Sequence, residues 1–281
     1  MINSAYQNQK ISLLTKHGKE LVIGEELSAL DCQLIHIFDF DTDQLGNFTR
    51  GVPRAGSQIE AARKKARIGM NLSKLPIGIA SEGAFSADPV IGMMAWNTEL
   101  VLLIDTIHDI ELVGYADGKA QHSSKTVSSL SELMNSLDGF GFPEHYLVLR
   151  PDHANYTRFI SGINSIKGLE DAFEWAMRES KTSSVFVEND LRAFANPTRM
   201  HNIAKATQQL VQKMRSYCPQ CNSPGFWITK KIIGLPCRDC GEPTLQAFGN
   251  YWECPKCPFN QEERFEKTSS ADPRFCNLCN P

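Results

Sequence analysis

Long apolar runs are missing from this 281-residue sequence, and no stretch approaches the roughly 18 to 20 apolar residues of a membrane span. The first ten residues, MINSAYQNQK, contain no apolar block of signal-peptide length. These two absences point to a cytoplasmic protein with no membrane partner. A dominant charge is missing as well. The 29 Lys and Arg nearly balance 32 Asp and Glu, for a net charge of −3, so no global basicity marks a nucleic-acid partner. No G-x-x-x-x-G-K-S/T loop, G-x-G-x-x-G fingerprint, G-x-S-x-G elbow or H-E-x-x-H pair occurs. P-loop kinase, dehydrogenase, α/β-hydrolase and zincin chemistries therefore have no support. Before residue 218 even cysteine is almost absent; Cys32 stands alone in ALDCQLIHIF and is expected to be a small buried apolar residue.

What is present reads as a globular protein with two parts. Hydrophobic residues make up 42% and charged residues 22%, a balance that supports a core. Short Val-, Ile- and Leu-rich runs of strand length (ISLLT, CQLIHIF, IGIAS, ELVLLID, IELVGYA, HYLVLR and SVFVE) alternate with helical patterns up to about residue 216. The helical candidates are GKELVIGEELSAL, SQIEAARKKARIGMNL, SSLSELMNSLDGF, GLEDAFEWAMRES and TRMHNIAKATQQLVQKMRS. The second puts Ile59, Ala62, Ala66 and Met70 on one face, and Ser57 before Glu60 predicts a capping box at its start. Alternating strands and helices predict an α/β domain, a mixed sheet flanked by helices, over residues 1–214.

From about residue 215 to 281 the composition turns to Cys, Pro, Gly and aromatics, with too little aliphatic content for a small fold unaided by metal. Four C-x-x-C pairs fall here: Cys218 with Cys221, Cys237 with Cys240, Cys254 with Cys257, and Cys276 with Cys279. Eight thiolates at such spacings predict two structural Zn²⁺ ions, each in a closed Cys₄ shell with no position left for water. Sequential, nested and cross-braced pairings all fit the spacing, and the sequential one is expected. A hairpin turning at Gly249-Asn250 would favour the nested one. Eight Lys and Arg against seven Asp and Glu in this zinc-ribbon-type region make a poor footprint for nucleic acid. Domain closure or a protein partner is the expected role.

Polar clusters punctuate the α/β part at predicted strand ends, where ligands of α/β sheets usually bind. TKHGKE offers Thr15, His17 and Lys19, and a lysine at a helix start opposes the helix dipole unless an anion is held there. DFDTDQLGNFTR carries Asp41 and Asp43, which serve either as turn residues or, with Glu82 of ASEGAF just past a strand, as hard-oxygen ligands for Mg²⁺. Arg63, Lys64 and Lys65 read as a solvated helix face from which Lys65 can reach a phosphate. In ENDLRAFANPTRM, Asn196 and Pro197 read as a helix start, whereas Arg192 and Arg199 suit phosphate or carboxylate.

Taken in order, TKHGKE, DTDQLGNFTR, GSQIEAARKKA, ASEGAF, DLRAFANPTRM, GLPCRDCGEPT and the final CNP resemble a family of uncharacterised bacterial and phage proteins that join such an α/β region to cysteine knuckles. Residues 10 to 85 also resemble, more loosely, the non-standard nucleoside triphosphate pyrophosphatases. In that family a T/S-x-N-x-x-K turn and helix start hold phosphates, a helix carries E/N-A-x-x-K-A, and a strand ends in an acidic metal loop. Thr15, His17, Lys19, Glu60, Lys65 and Glu82 take roughly those places, with His17 where that family has asparagine and a single glutamate in place of an acidic pair. The resemblance implies nucleotide binding. Together the clusters predict a Mg²⁺-assisted protein that binds a nucleotide and hydrolyses its phosphates. In it Lys19, Lys65, Arg192 and Arg199 would meet phosphates, Glu82 with Asp41 or Asp43 would hold the metal, and His17 would position substrate or act as acid–base. The alternatives are a nucleotide binder or sensor without turnover, and a zinc-ribbon adaptor for a protein partner.

Overall fold

The computed structural model describes residues 4–38, 40, 56–265 and 270–281. The chain forms two compact units, one comprising Tyr6–Ile104 and Val113–Val211, the other Met1–Ala5, Asp105–Leu112 and Gln212–Pro281. Among the described residues no helix is long and apolar enough to cross a membrane.

In the first unit, β1 (Lys10–Leu14) is buried along nearly its whole length. It ends in a turn where His17 and Gly18 both take left-handed backbone angles, φ 74° and 72°. Glycine suits that region; His17 occupies it at some conformational cost. The turn delivers Lys19 as the first residue of α1 (Lys19–Leu27), which buries Ile23 and Leu27. The chain then returns as β2 (Gln33–Ile37), parallel to β1 with Lys10 opposite Gln33 and Leu14 opposite Ile37. Cys32, just before β2, is half-buried and not fully interior; its Sγ donates to Leu27 O at 3.5 Å.

Helix α2 (Gln58–Ser73) starts with the capping box that its sequence predicts: Ser57 Oγ accepts from Glu60 N, and the Glu60 carboxylate accepts from Ser57 N at 2.7 Å. Its Ala62 and Ala66 pack on Ala80, Leu100 and Leu102 of the strands that follow, β3 (Ile77–Ala87) and β4 (Ala95–Asp105). With β5 (Ile110–Lys119) the sheet order is β2-β1-β3-β4-β5, and β3 runs parallel to β1. Because β1 leads to β2 on one side and lies against β3 on the other, the carboxyl end of β1 is a topological switch point. Glu82, expected just past a strand, lies inside β3. Pairing with β4 keeps the backbone extended as far as Asp88, whose N–H donates to Met94 O at 2.8 Å.

The remaining strands form a second sheet, so the strands of the α/β part are divided between two sheets. These are β6 (Ser124–Val127), β7 (Leu147–Pro151), β8 (Ile160–Ile163) and β9 (Val185–Asn189), in the antiparallel order β6-β9-β7-β8. Its core joins Leu147, Leu149, Val185 and Val187 to Leu133 of α3 (Leu130–Met134), Phe140 of α4 (Leu137–Phe140) and Leu169, Ala172, Phe173 and Ala176 of α5 (Ile166–Glu179). SSLSELMNSLDGF makes two short helices in place of one. At the break, both the N–H and the hydroxyl of Ser136 donate to Leu133 O, the local competition expected of serine. Helix α6 (Pro197–Arg215) begins as its sequence predicts, with Asn196 Oδ1 accepting from Arg199 N at 3.1 Å.

The second unit is built on a three-stranded antiparallel sheet, β10 (Trp227–Ile233), β11 (Ala247–Glu253) and β12 (Asn260–Arg264), in that order. Gly249 and Asn250 lie in the middle of β11 and form no turn: Asn250 pairs with Lys231 on one side and Glu263 on the other. Phe226 stacks on Trp252 with centroids 5.6 Å apart and meets Phe259 at the same distance. The architecture is thus α/β with sheets flanked by helices, plus a cysteine-rich sheet unit.

Candidate functional site

The sheet of the second unit determines which cysteines meet. Cys218 and Cys221 precede β10, and Trp227 at its start lies opposite Glu253 at the end of β11, so Cys254 and Cys257 emerge beside them. At the far end the chain leaves β10 toward Cys237, and β12, antiparallel to β11, returns the chain to that same end before Cys276. The groups are therefore Cys218, Cys221, Cys254, Cys257 and Cys237, Cys240, Cys276, Cys279, the sulfurs of each lying within 4.8 Å of one another. The pairing is cross-braced, first with third and second with fourth, and corrects the sequential expectation. A three-stranded meander carries alternate knuckles to opposite ends.

The donor set fits zinc. Sulfur pairs stand 3.6 to 3.9 Å apart, and a tetrahedron with Zn–S bonds of about 2.3 Å has edges of about 3.8 Å. All eight are free thiols, at separations far beyond a disulfide bond. Knuckle turns hold them: Cys257 N donates to Cys254 Sγ at 3.4 Å, and Asn222 N and Gly241 N close onto Cys218 O and Cys237 O, each at 2.9 Å. The carbon core of this unit is small, so metal would supply folding energy here and, with four sulfurs, no open coordination site.

In the α/β unit the switch point holds a buried ionic cluster. Lys19 is 6% exposed, and its ammonium donates to Ser81 O and Ser81 Oγ, both at a long 3.3 Å. Glu82 forms a close ion pair with Lys65. Glu99, fully buried on β4, takes Arg199 Nε at 2.5 Å and Asn97 Nδ2 at 3.0 Å. Arg199 also donates to Leu191 O at 2.6 Å, and Asn202 steadies Asn97 at 3.0 Å. Gly83 leaves room for this pairing, since a Cβ there would strike the Glu99 carboxylate and the Arg199 guanidinium. Three cationic side chains thus face two carboxylates, and both carboxylates are engaged by cations other than Lys19. Burial, and after it the Arg199 guanidinium, pull the Lys19 ammonium down from 10.5 to about 7, Lys65 adding to the pull while Glu99 and Glu82 oppose it.

Of the residues singled out from sequence, Lys19, Lys65, Glu82 and Arg199 come together here. Lys65 turns inward from the basic helix face. Thr15 is buried at the end of β1, its Oγ1 donating to Lys16 O at 2.8 Å and its carbonyl 2.9 Å from His36 Nε2. Glu60 is spent on the helix cap. His17 and Arg192 lie together in a second group. The His17 ring stacks on Phe194 at 5.8 Å, and the Arg192 guanidinium lies 4.8 Å over the same ring while it pairs with Asp190 at 2.5 Å. Asp41 and Asp43 lie outside the described residues. Sequence reasoning missed Glu99, Asn97, Ser81 and Phe194. Asn97 and Glu99 could have been found, because two polar residues two apart at the head of an apolar run share one face of the strand.

The geometry defines an α/β protein with two tetracysteine groups that could each hold a metal ion and a buried, cation-rich switch point. The chain belongs to the family described as a domain of unknown function, DUF6671, whose match spans residues 65–281. That span includes Lys65, Glu82, Glu99, Arg192, Arg199 and all eight paired cysteines, whereas His17 and Lys19 lie before it. No curated protein matches. Among solved structures, a phosphoribosylglycinamide synthetase from Anaerococcus prevotii aligns at 9% identity and a TM-score of 0.21, over 66% of this chain and 46% of that one. At that TM-score the likeness carries no argument about this chain.

Proposed function

We propose that the α/β unit binds a nucleotide through its phosphate groups at Lys19, Lys65 and Arg199, and that two zinc ions serve only to fold the cysteine-rich unit. The observation that carries this reading is Lys19 itself: a buried ammonium at a helix start, hydrogen-bonded among the described residues to the neutral Ser81 alone. Burying such a charge costs free energy that an incoming anion would return. A phosphate there would also complement the dipole of α1.

Binding is favoured over hydrolysis. Glu82 and Glu99 are held by Lys65 and Arg199. Among the described residues the only groupings of three or more metal-ligating side chains are the two cysteine sets. Magnesium belongs to this proposal as the ion a nucleoside triphosphate brings with it; hydrolysis would draw its carboxylates from Asp41 and Asp43.

Titration calorimetry with pyrophosphate and with nucleoside mono-, di- and triphosphates tests the reading. With burial holding Lys19 down to about 7 in the free protein, binding at pH 7 takes up a fraction of a proton at Lys19 as the anion restores the ammonium, over and above the ligand's own ionisation. The uptake is read from the dependence of the heat on buffer ionisation enthalpy. Lys19→Met abolishes the uptake and weakens binding at least tenfold, the loss of about one charged hydrogen bond. The ligand recovered unchanged, with Mg²⁺ present, identifies a binder; released phosphate identifies a hydrolase. Absence of any binding to pyrophosphate or nucleotide at millimolar concentration refutes both.

A further inference from the structure

We infer that the ring shelf of Phe194, His17 and Arg192 is the subsite for the flat heteroaromatic base of the nucleotide, an inference that rests on the phosphate-binding reading of the neighbouring cluster. Phe194 is 42% exposed, yet it sits in a 3-10 turn between Ala193 and Ala195, both fully buried. The backbone anchors the ring from both sides and presents it outward. A single exposed phenylalanine is ordinary; this one has specific company. Besides His17 and Arg192, Tyr146 meets it edge-on at 6.2 Å.

Arg192 is not set up as a phosphate clamp. Its Nε donates to both Asp190 oxygens at 2.9 and 3.1 Å, and its Nη2 donates to Asp190 at 2.5 Å and to Ser161 Oγ at 3.0 Å. Asp190, 1% exposed, is itself fixed by Gly162 N at 3.1 Å. A guanidinium neutralised and locked in this way lies over the Phe194 ring, so its contribution here is ring stacking and not charge on a phosphate. The shelf is also continuous with the cation cluster. His17 is two residues from Lys19, at most about 7 Å of chain, and Leu191 O accepts from Arg199. A ribose would bridge the gap between a base on the shelf and phosphates at the cluster.

The experiment compares pyrophosphate with adenosine, guanosine and uridine diphosphates on the full-length, zinc-loaded protein, using wild type, Phe194→Ala and Phe194→Trp. The expected result is that at least one nucleoside diphosphate binds more tightly than pyrophosphate. Phe194→Ala weakens that nucleotide about tenfold, in the range of one base–aromatic stack, and leaves pyrophosphate affinity and the melting temperature unchanged. Phe194→Trp retains nucleotide affinity. If Phe194→Ala leaves every nucleotide as tight as before while pyrophosphate still binds, the base subsite is overturned and the phosphate reading stands. If pyrophosphate does not bind the wild type at all, it is the phosphate reading that falls.

Discussion

Replacing Lys19 by methionine should make the protein more stable near neutral pH. The ammonium sits near 7 in the fold against 10.5 in the open chain. At about 1.4 kcal/mol per tenfold change, the difference corresponds to roughly 5 kcal/mol. The sign follows from proton counting. Below pH 7 both states hold the proton and the folded state carries the whole cost. Between about 7 and 10.5 the unfolded chain binds more protons, so the stability of the wild type rises with pH. Above that range the cost of the charge is gone. Methionine has similar length and no charge, and it leaves Lys65 and Arg199 balanced against Glu82 and Glu99. It forfeits two long hydrogen bonds to Ser81, so the net gain at pH 6.5 is about 2 to 4 kcal/mol, in the range seen when buried ions are exchanged for apolar residues.

The assay is hydrogen exchange of peptides from β1 and β3, read against urea, because a two-unit protein does not unfold in one step. Wild type and variant are compared at pH 6.5, 8 and 9.5 in zinc-saturated, phosphate-free buffer. The advantage of Lys19→Met should be largest at pH 6.5 and shrink by pH 9.5. If the variant is less protected at pH 6.5, the Lys19 charge is holding the cluster together, and the motive for anion binding disappears.

Metal analysis should give two zinc ions per chain. Cys218→Ser and Cys254→Ser together should remove one of them, whereas Cys218→Ser with Cys276→Ser should remove both; sequential pairing predicts the loss of both in the first pair. Gly83→Ala should cost about 1 to 3 kcal/mol, as overpacking does, since its Cβ meets the Glu99–Arg199 pair; an unchanged urea midpoint would mean the pair shifts freely. Asp88 accepts the N–H groups of Val90, Ile91, Met93 and Met94, which hold its carboxyl down to about 2. Asp88→Ala should speed thermolysin cleavage between residues 89 and 94, and in the wild type this protection should survive above the ordinary carboxylate range and fade as pH falls toward 2.

Local chemistry was legible wherever the chain acts on itself within a few residues. Ser57 and Glu60 cap α2, Asn196 starts α6, and each C-x-x-C closes its own knuckle through backbone groups three or four residues away. Strand runs such as ELVLLID were equally plain, because burial on both faces demands unbroken apolar residues. The four-residue strands β6 and β8 were not legible; SKTV and ISGI carry no pattern of their own and are extended only because β9 and β7 pair with them. The break at Ser136 turned on one hydroxyl competing for a carbonyl, which periodicity does not register.

The candidate site divides along the same line. The sequence by itself determined that eight thiols would gather in fours and that a lysine would stand at a helix start against the dipole. Only the tertiary structure decided which fours, because the sheet that sorts the knuckles is made by strands whose register is not local. It also decided what Lys19 would face. Glu99 and Arg199, a hundred residues apart, take each other as partners, and Lys65 takes Glu82. Among the described residues Lys19 is left with a neutral serine, because ionic partners are chosen by proximity in the folded core and not by order in the chain.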